Sequence, residues 1–217
     1  MALPRIKICG ITNEADARLV AELGADAIGL NFYAGSPRHV QLNAVEGILR
    51  VLPPFLEPVG VFVNQPLRQV FETLNRIGRI RTIQWYGDKP ELCDTYPFQL
   101  IPTFPVRDQD SLGTITEYLE LCRGLRKLSA AIAVDARAPG QYGGTGRSIP
   151  WDLLAAFQPG VPLVLAGGLT PENVAEAIRI VRPYAVDVAT GVEHQPGKKD
   201  PELVRRFIDN ARAVSKT

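Results

Sequence analysis

The chain has 217 residues, 46% of them hydrophobic, a length that suits one α/β barrel domain, with two smaller domains as the alternative, and a composition typical of globular proteins. Its 24 basic and 23 acidic residues nearly cancel, so no global field favours nucleic acid or a membrane surface, and an anionic partner has to be a small molecule held in a local pocket. Three cysteines without a C-x-x-C pair and two histidines without ligand spacing leave no pattern for a metal site.

The opening "MALPRIKICGIT" lacks the apolar core of a secretory signal, and no apolar run approaches the roughly 18 residues of a membrane span. A cytoplasmic protein with reduced cysteines is expected. Short β-type runs then recur along the chain: "RIKIC" (5–9), "DAIGLNF" (26–32), "PVGVFV" (58–63), "RTIQW" (81–85), "FQLIPTF" (98–104), "SAAIAVD" (129–135), "PLVLAG" (162–167) and "AVDVAT" (185–190). Seven of the eight lead into a clear helical segment. Leu67, Val70, Phe71, Leu74 and Ile77 repeat at helical spacing, as do Val174, Ala177, Ile178 and Val181, and both stripes are core faces. "LTPENV" predicts Thr170 as N-cap with Pro171 at the first helical position, and "DPELV" predicts the same for Asp200 and Pro201. Between Tyr86 and Pro97 the prolines leave room for only about two turns of helix.

Strand alternating with helix calls for a parallel sheet, and eight such units close most naturally as a single (β/α)8 barrel domain spanning residues 1–217. An open doubly wound sheet is the alternative, but G-x-G-x-x-G is missing after the first strand.

Strand side chains alternate between faces, and the bulky apolar set should face the helices. Ile6 and Ile8 then point outward while Lys7 and Cys9 point into the barrel. Ile132 and Val134 likewise leave Ala131, Ala133 and Asp135 inside, and the same rule turns Asn31, Gln84 and Asp187 inward. Cys9, Asn31, Gln84, Asp135 and Asp187 lie near the C-terminal strand ends, where barrel enzymes place catalytic groups. Asp135 as a solvated cap and Cys9 as a small buried hydrophobe are the structural alternatives. Cys93 and Cys122 fall on helical segments and read as packing residues.

Glycines gather after the last three strands, in "GQYGGTG", "AGGLTPENV" and "ATGVE". Glycine lets backbone N–H groups approach an anion, and phosphate sites in barrels favour the loops after strands seven and eight. These loops put Gly144, Thr145, Gly167, Gly168, Thr190 and Gly191 forward as ligands of a phosphorylated small molecule, with plain tight turns as the alternative. Arg38, in "NFYAGSPRHV", is suited to grip a carboxylate bidentately, or else is solvated.

Together "KICGIT", "GLNFYAGSPR", "VGVFVN", "VDARAPGQYGGTGRSIPW", "LAGGLTPENV", "VDVATGVE" and "PGKKDPELVRRFI" resemble, in order along the chain, the phosphoribosylanthranilate isomerases of tryptophan biosynthesis. The resemblance implies a (β/α)8 barrel that carries out an Amadori rearrangement of N-(5-phosphoribosyl)anthranilate without cofactor or metal. It implies Cys9 as general base, Asp135 as general acid, Arg38 facing the anthranilate carboxylate and the glycine loops on the phosphate. Asp187 is assigned to substrate orientation. Lys7, on the same strand face, is suited to favour the Cys9 thiolate.

Two departures stand out. The family usually reads "QLHG" after the fourth strand, where this chain has "QWYG" with Trp85 and Tyr86, and a serine pair where this chain has Ala189 and Thr190. The rivals are a sister barrel isomerase such as that of aminoimidazole carboxamide ribotide, in which an aspartate occupies the position of Cys9, and a catalytically silent barrel that keeps the phosphate site. Monomer and homodimer are both compatible, since the outer helices can all face water or two can face a partner.

Overall fold

The computed structural model describes residues 3–87, 97–127, 129–135 and 151–214. In chain order its elements are β1 (Arg5–Cys9), α1 (Glu14–Glu22), β2 (Ala27–Asn31), α2 (Leu42–Val51), β3 (Glu57–Val63), α3 (Leu67–Ile77), β4 (Thr82–Tyr86), β5 (Gln99–Pro105), α4 (Gln109–Gly124), β6 (Ile132–Asp135), α5 (Trp151–Ala155), β7 (Leu163–Ala166), α6 (Val174–Val181) and β8 (Ala185–Val188). A 3-10 turn, Thr190–Val192, and a small hairpin, β9 (Glu193–Gln195) and β10 (Lys198–Lys199), then lead into α7 (Pro201–Ala213). The expected short helix between β4 and β5, with Cys93, lies outside the described residues.

Strands β1 to β8 pair in parallel and in order, and β1 closes on β8, so the sheet is a closed barrel and not an open doubly wound sheet. The closing register sets Lys7 of β1 beside Asp187 of β8, and on its other side β1 sets Cys9 beside Gly29 of β2. Farther round, Asp135 stands beside Ala166, which stands beside Asp187.

The strand parity holds. Ile6, Ile8, Ile28, Leu30, Ile83, Ile132, Val134, Leu165 and Val186 are buried in the layer between barrel and helices. Phe62 joins them and stacks on Phe32 at 4.9 Å between ring centroids. In α3 the stripe buries Leu67, Val70 and Leu74, and in α6 all four stripe residues are buried. Inside the barrel a small apolar layer of Ala131, Ala133, Val164 and Ala185 lies toward the N-terminal strand ends. Cys122 is buried on α4, as expected of a packing residue.

Helix starts follow local chemistry at α7 and depart from it at α6. Asp200 accepts from the backbone N–H of Glu202 and Leu203, with Pro201 at the first helical position. By contrast α6 begins at Val174 with Asn173 as N-cap, three residues past the expected proline. Thr170 does accept from Glu172 N at 3.2 Å, but Asn173 Oδ1 accepts from Thr170 N and its amide donates to the Gly168 carbonyl. These bonds hold Pro171–Asn173 as a separate turn tied to the β7 loop.

Candidate active site

A cleft of about 280 Å³ opens at the C-terminal ends of the strands. Cys9 and Asp135 both line it, from strands three places apart around the barrel, together with Tyr86, Asp187 and the loops after β7 and β8. Of the residues expected at the site, Cys9, Asp135, Asp187, Gly167, Gly168, Thr190 and Gly191 meet here. Gly144 and Thr145 lie outside the described residues.

The side of the cleft formed by the loops after β7 and β8 is built from backbone. Gly167 and Gly168 both have positive φ, 87° and 68°, which only glycine adopts without strain, so the chain turns sharply from β7 toward α6. Gly191 answers from the β8 side: a Cβ there would collide with the Leu169 carbonyl oxygen, so the two loops touch through their main chains. Backbone N–H groups and the N-terminal end of α6 thereby border one cleft, an arrangement suited to an anion such as phosphate.

Two polar networks underlie the cleft. In the barrel interior, Lys7 Nζ donates to Asp187 Oδ2 at 2.8 Å, and Gln84 Nε2 donates to the same oxygen at 3.3 Å. Gln84 Nε2 also donates to Tyr86 Oη at 3.1 Å, and Tyr86 Oη donates to Asp135 Oδ2 at 3.3 Å. A line of hydrogen bonds therefore joins β1, β8, β4 and β6 across the barrel. Burial alone would push the Lys7 ammonium down, but Asp187, with Cys9, outweighs it and leaves Lys7 raised. Asp187 Oδ1 is buried without a hydrogen bond among the described residues.

The second network lies beneath the β8 loop. Arg38 Nε and Nη2 grip Glu193 at 2.7 to 3.0 Å, and Nη2 also donates to Thr190 Oγ1 at 3.2 Å. Lys199, whose side chain is fully buried, donates to Glu193 Oε1 at 2.8 Å and to the backbone carbonyls of Cys9, at 2.6 Å, and Ala189, at 3.3 Å. Burial pushes its ammonium down despite Glu193. One buried carboxylate thus carries two cations, and one of those cations anchors the end of β1 at Cys9.

Arg38 therefore stands differently from the expectation of an open guanidinium. It is buried, it does not line the cleft, and its bidentate partner is Glu193 of this chain. Nη1 makes no hydrogen bond among the described residues. Asn31 turns toward its own loop, where its amide binds Ser36 Oγ and its carbonyl oxygen accepts from Tyr33 N. Lys7 does lie near Cys9, since a Cβ on Gly29 would meet both Cys9 Sγ and Lys7 Nζ within 3.0 Å, but its ion pair is with Asp187.

Sequence reasoning passed over Glu193 and Lys199. Both sit in a polar stretch, "GVEHQPGKKD", that carries no local signal of burial, and the hairpin folds them under the loop. Tyr86 was visible as a departure from the family pattern, and the structure brings it to the cleft.

Residues 6–210 match the family model for N-(5'-phosphoribosyl)anthranilate isomerase. The chain is 47% identical to the N-(5'-phosphoribosyl)anthranilate isomerase of Geobacter metallireducens over 96% of this chain and 99% of that protein. Its fold is similar to the crystal structure of phosphoribosyl anthranilate isomerase from Thermotoga maritima, with TM-score 0.87 and 38% identity over 97% of this chain and all of that one. A phosphoribosyl anthranilate isomerase in complex with reduced 1-(o-carboxyphenylamino)-1-deoxyribulose 5-phosphate is similar at TM-score 0.83 and 35% identity, covering 97% of this chain and 100% of that one.

Proposed function

The chain belongs to the N-(5'-phosphoribosyl)anthranilate isomerase family, and from that premise we propose that it converts N-(5-phosphoribosyl)anthranilate to 1-(2-carboxyphenylamino)-1-deoxyribulose 5-phosphate in tryptophan biosynthesis, with Asp135 as acid and Cys9 as base. The observation that carries this reading is the placement of one carboxyl and one thiol at strand ends facing one cleft, beside two glycine loops.

The phosphate is bound by backbone N–H groups of the Gly167–Gly168 and Gly191 loops, with Thr190 alongside and Gly144 and Thr145 contributing from the loop after β6. Arg38, buried and held by Glu193 and Thr190, braces the β8 loop from beneath and stands outside the cleft. Asp187 orients the sugar. The chemistry then needs one acid and one base. Asp135 gives its proton to the ring oxygen as the C1′–O bond breaks, and the anilinic nitrogen lone pair forms the C1′=N bond. Cys9 takes the C2′ proton, its electrons neutralise the iminium, and the enolamine tautomerises to the ketoamine.

The test is the fluorescence of the anthranilate ring, with substrate generated in place and protein added at low concentration. The expected result is a decay whose rate is proportional to enzyme and which is lost in Asp135→Asn. No change above the spontaneous rate, in folded protein, overturns the assignment in favour of the sister isomerase or a silent barrel.

A further inference from the structure

The interior network has a direction. Gln84 Nε2 lies 3.3 Å from Asp187 Oδ2, and a carboxylate paired with Lys7 can only accept, so it is the amide nitrogen of Gln84 that faces it. The other N–H of that nitrogen points to Tyr86 Oη, 3.1 Å away on the same strand face. A phenol carries a single proton. With its oxygen accepting from Gln84, Tyr86 is left to donate, and Asp135 Oδ2 is the acceptor 3.3 Å away. The Lys7–Asp187 ion pair therefore sets, through Gln84, which way Tyr86 gives its proton.

We propose that Tyr86 is a positioning residue for Asp135, fixing the carboxyl at the cleft through Oδ2 and meeting the negative charge that remains once the proton has gone. The inference rests on the reading of Asp135 as the acid. As Asp135 protonates the ring oxygen, its O–H bond breaks and the electron pair stays on the carboxylate. A hydrogen bond from Tyr86 to that carboxylate is stronger than one to the neutral acid, because the acceptor has become charged.

Among the described residues, the titratable and charged groups that face the barrel interior around Asp135 are Tyr86 on β4, Asp187 on β8, and Lys7 and Cys9 on β1. On the strands alongside, its register neighbours are Pro105 and Ala166, neither of which titrates.

The experiment compares wild type, Tyr86→Phe, Gln84→Met and Asp135→Asn. Two quantities are read: kcat with KM, and the titration of the Asp135 carboxyl carbon followed by NMR, its signal identified by its absence in Asp135→Asn. In Tyr86→Phe, kcat falls about tenfold with KM within about threefold, the scale of one hydrogen bond to a charged group. The Asp135 titration moves to higher pH, because a donor that favours the carboxylate has gone. Gln84→Met shifts both in the same direction by less, since Tyr86 keeps its proton but loses its orientation. A role confined to packing would lower kcat and leave the titration where it was. If neither variant moves the titration while Asp135→Asn is inactive, the role of Tyr86 is overturned and the acid assignment stands. An active Asp135→Asn overturns the acid assignment and this inference with it.

Discussion

Lys7 Nζ and Asp187 Oδ2 meet at 2.8 Å inside the barrel, across the seam where the first strand pairs with the last, and both side chains are almost wholly buried. Such a pair stabilises little against an apolar replacement, but removing one partner strands the other charge. Lys7→Met should therefore destabilise the fold by about 3–5 kcal/mol in urea unfolding. The double variant Lys7→Met, Asp187→Leu should recover most of that loss. A full loss in the double variant would show that packing and not the charge was at stake.

The pH dependence of that deficit has a definite sign. The folded-state pKa of Lys7 is raised above its ordinary 10.5, so its contribution is fully present below 10.5 and is lost as pH rises through the folded value. Between neutral pH and about 10 the stability gap separating wild type from Lys7→Met should stay constant, and above that it should narrow. A gap that closes below pH 9 would contradict the ion pair.

Glu193 is shared by Arg38 and Lys199 in a site with almost no solvent access. Glu193→Gln keeps the shape but leaves two buried cations facing a neutral group, at a cost of about 3 kcal/mol or more in chemical denaturation. Lys199 is already held below its ordinary 10.5 by burial, so the unfolded chain binds this proton more tightly than the folded one. Stability should rise as pH climbs toward 10.5, and the Glu193→Gln deficit should shrink over that range as folded Lys199 sheds its proton.

A Cβ at Gly29 would stand 2.5 Å from Cys9 Sγ and 3.0 Å from Lys7 Nζ. Gly29→Ala must displace the thiol, and a misplacement of about 1 Å at a reacting group costs on the order of 10²-fold in rate. Steady-state kinetics should show the loss in kcat, with KM much less affected. Wild-type kcat in this variant would separate Cys9 from the chemistry.

Gly191→Ala should give the opposite split. Its Cβ would collide with the Leu169 carbonyl, and since neither loop main chain can yield cheaply, the anion wall opens. We expect KM to rise about tenfold or more, equivalent to about 1.4 kcal/mol of binding, with a smaller change in kcat. Inorganic phosphate, tested as a competitive inhibitor, should weaken in parallel.

Cys9→Ser and Asp135→Asn should each lower turnover by about 10² or more while binding product within a few-fold of wild type. Turnover is read by the ring-fluorescence assay and binding by titration calorimetry. Unchanged turnover in either variant removes that residue from the mechanism.

Much of this molecule was legible along the chain because its signals are local. A strand's side chains alternate every residue, so the outward set of Ile6, Ile8, Ile132 and Val134 assigned Lys7, Cys9 and Asp135 to the interior before any contact was known. Asp200 and Pro201 mark a helix start by short-range chemistry, whereas the turn ahead of α6 was misread because Asn173 gains its bonds from the β7 loop. What the sequence by itself determined was the alternation of strand and helix and the gathering of polar groups and glycines at one end of the strands. Which polar groups pair was decided only by closure of the barrel, since the partners lie 155 residues apart for Arg38 and Glu193, 180 for Lys7 and Asp187, and 190 for Lys199 and the Cys9 carbonyl. A buried charge must find its partner wherever the fold brings one within reach, and no local periodicity encodes that choice.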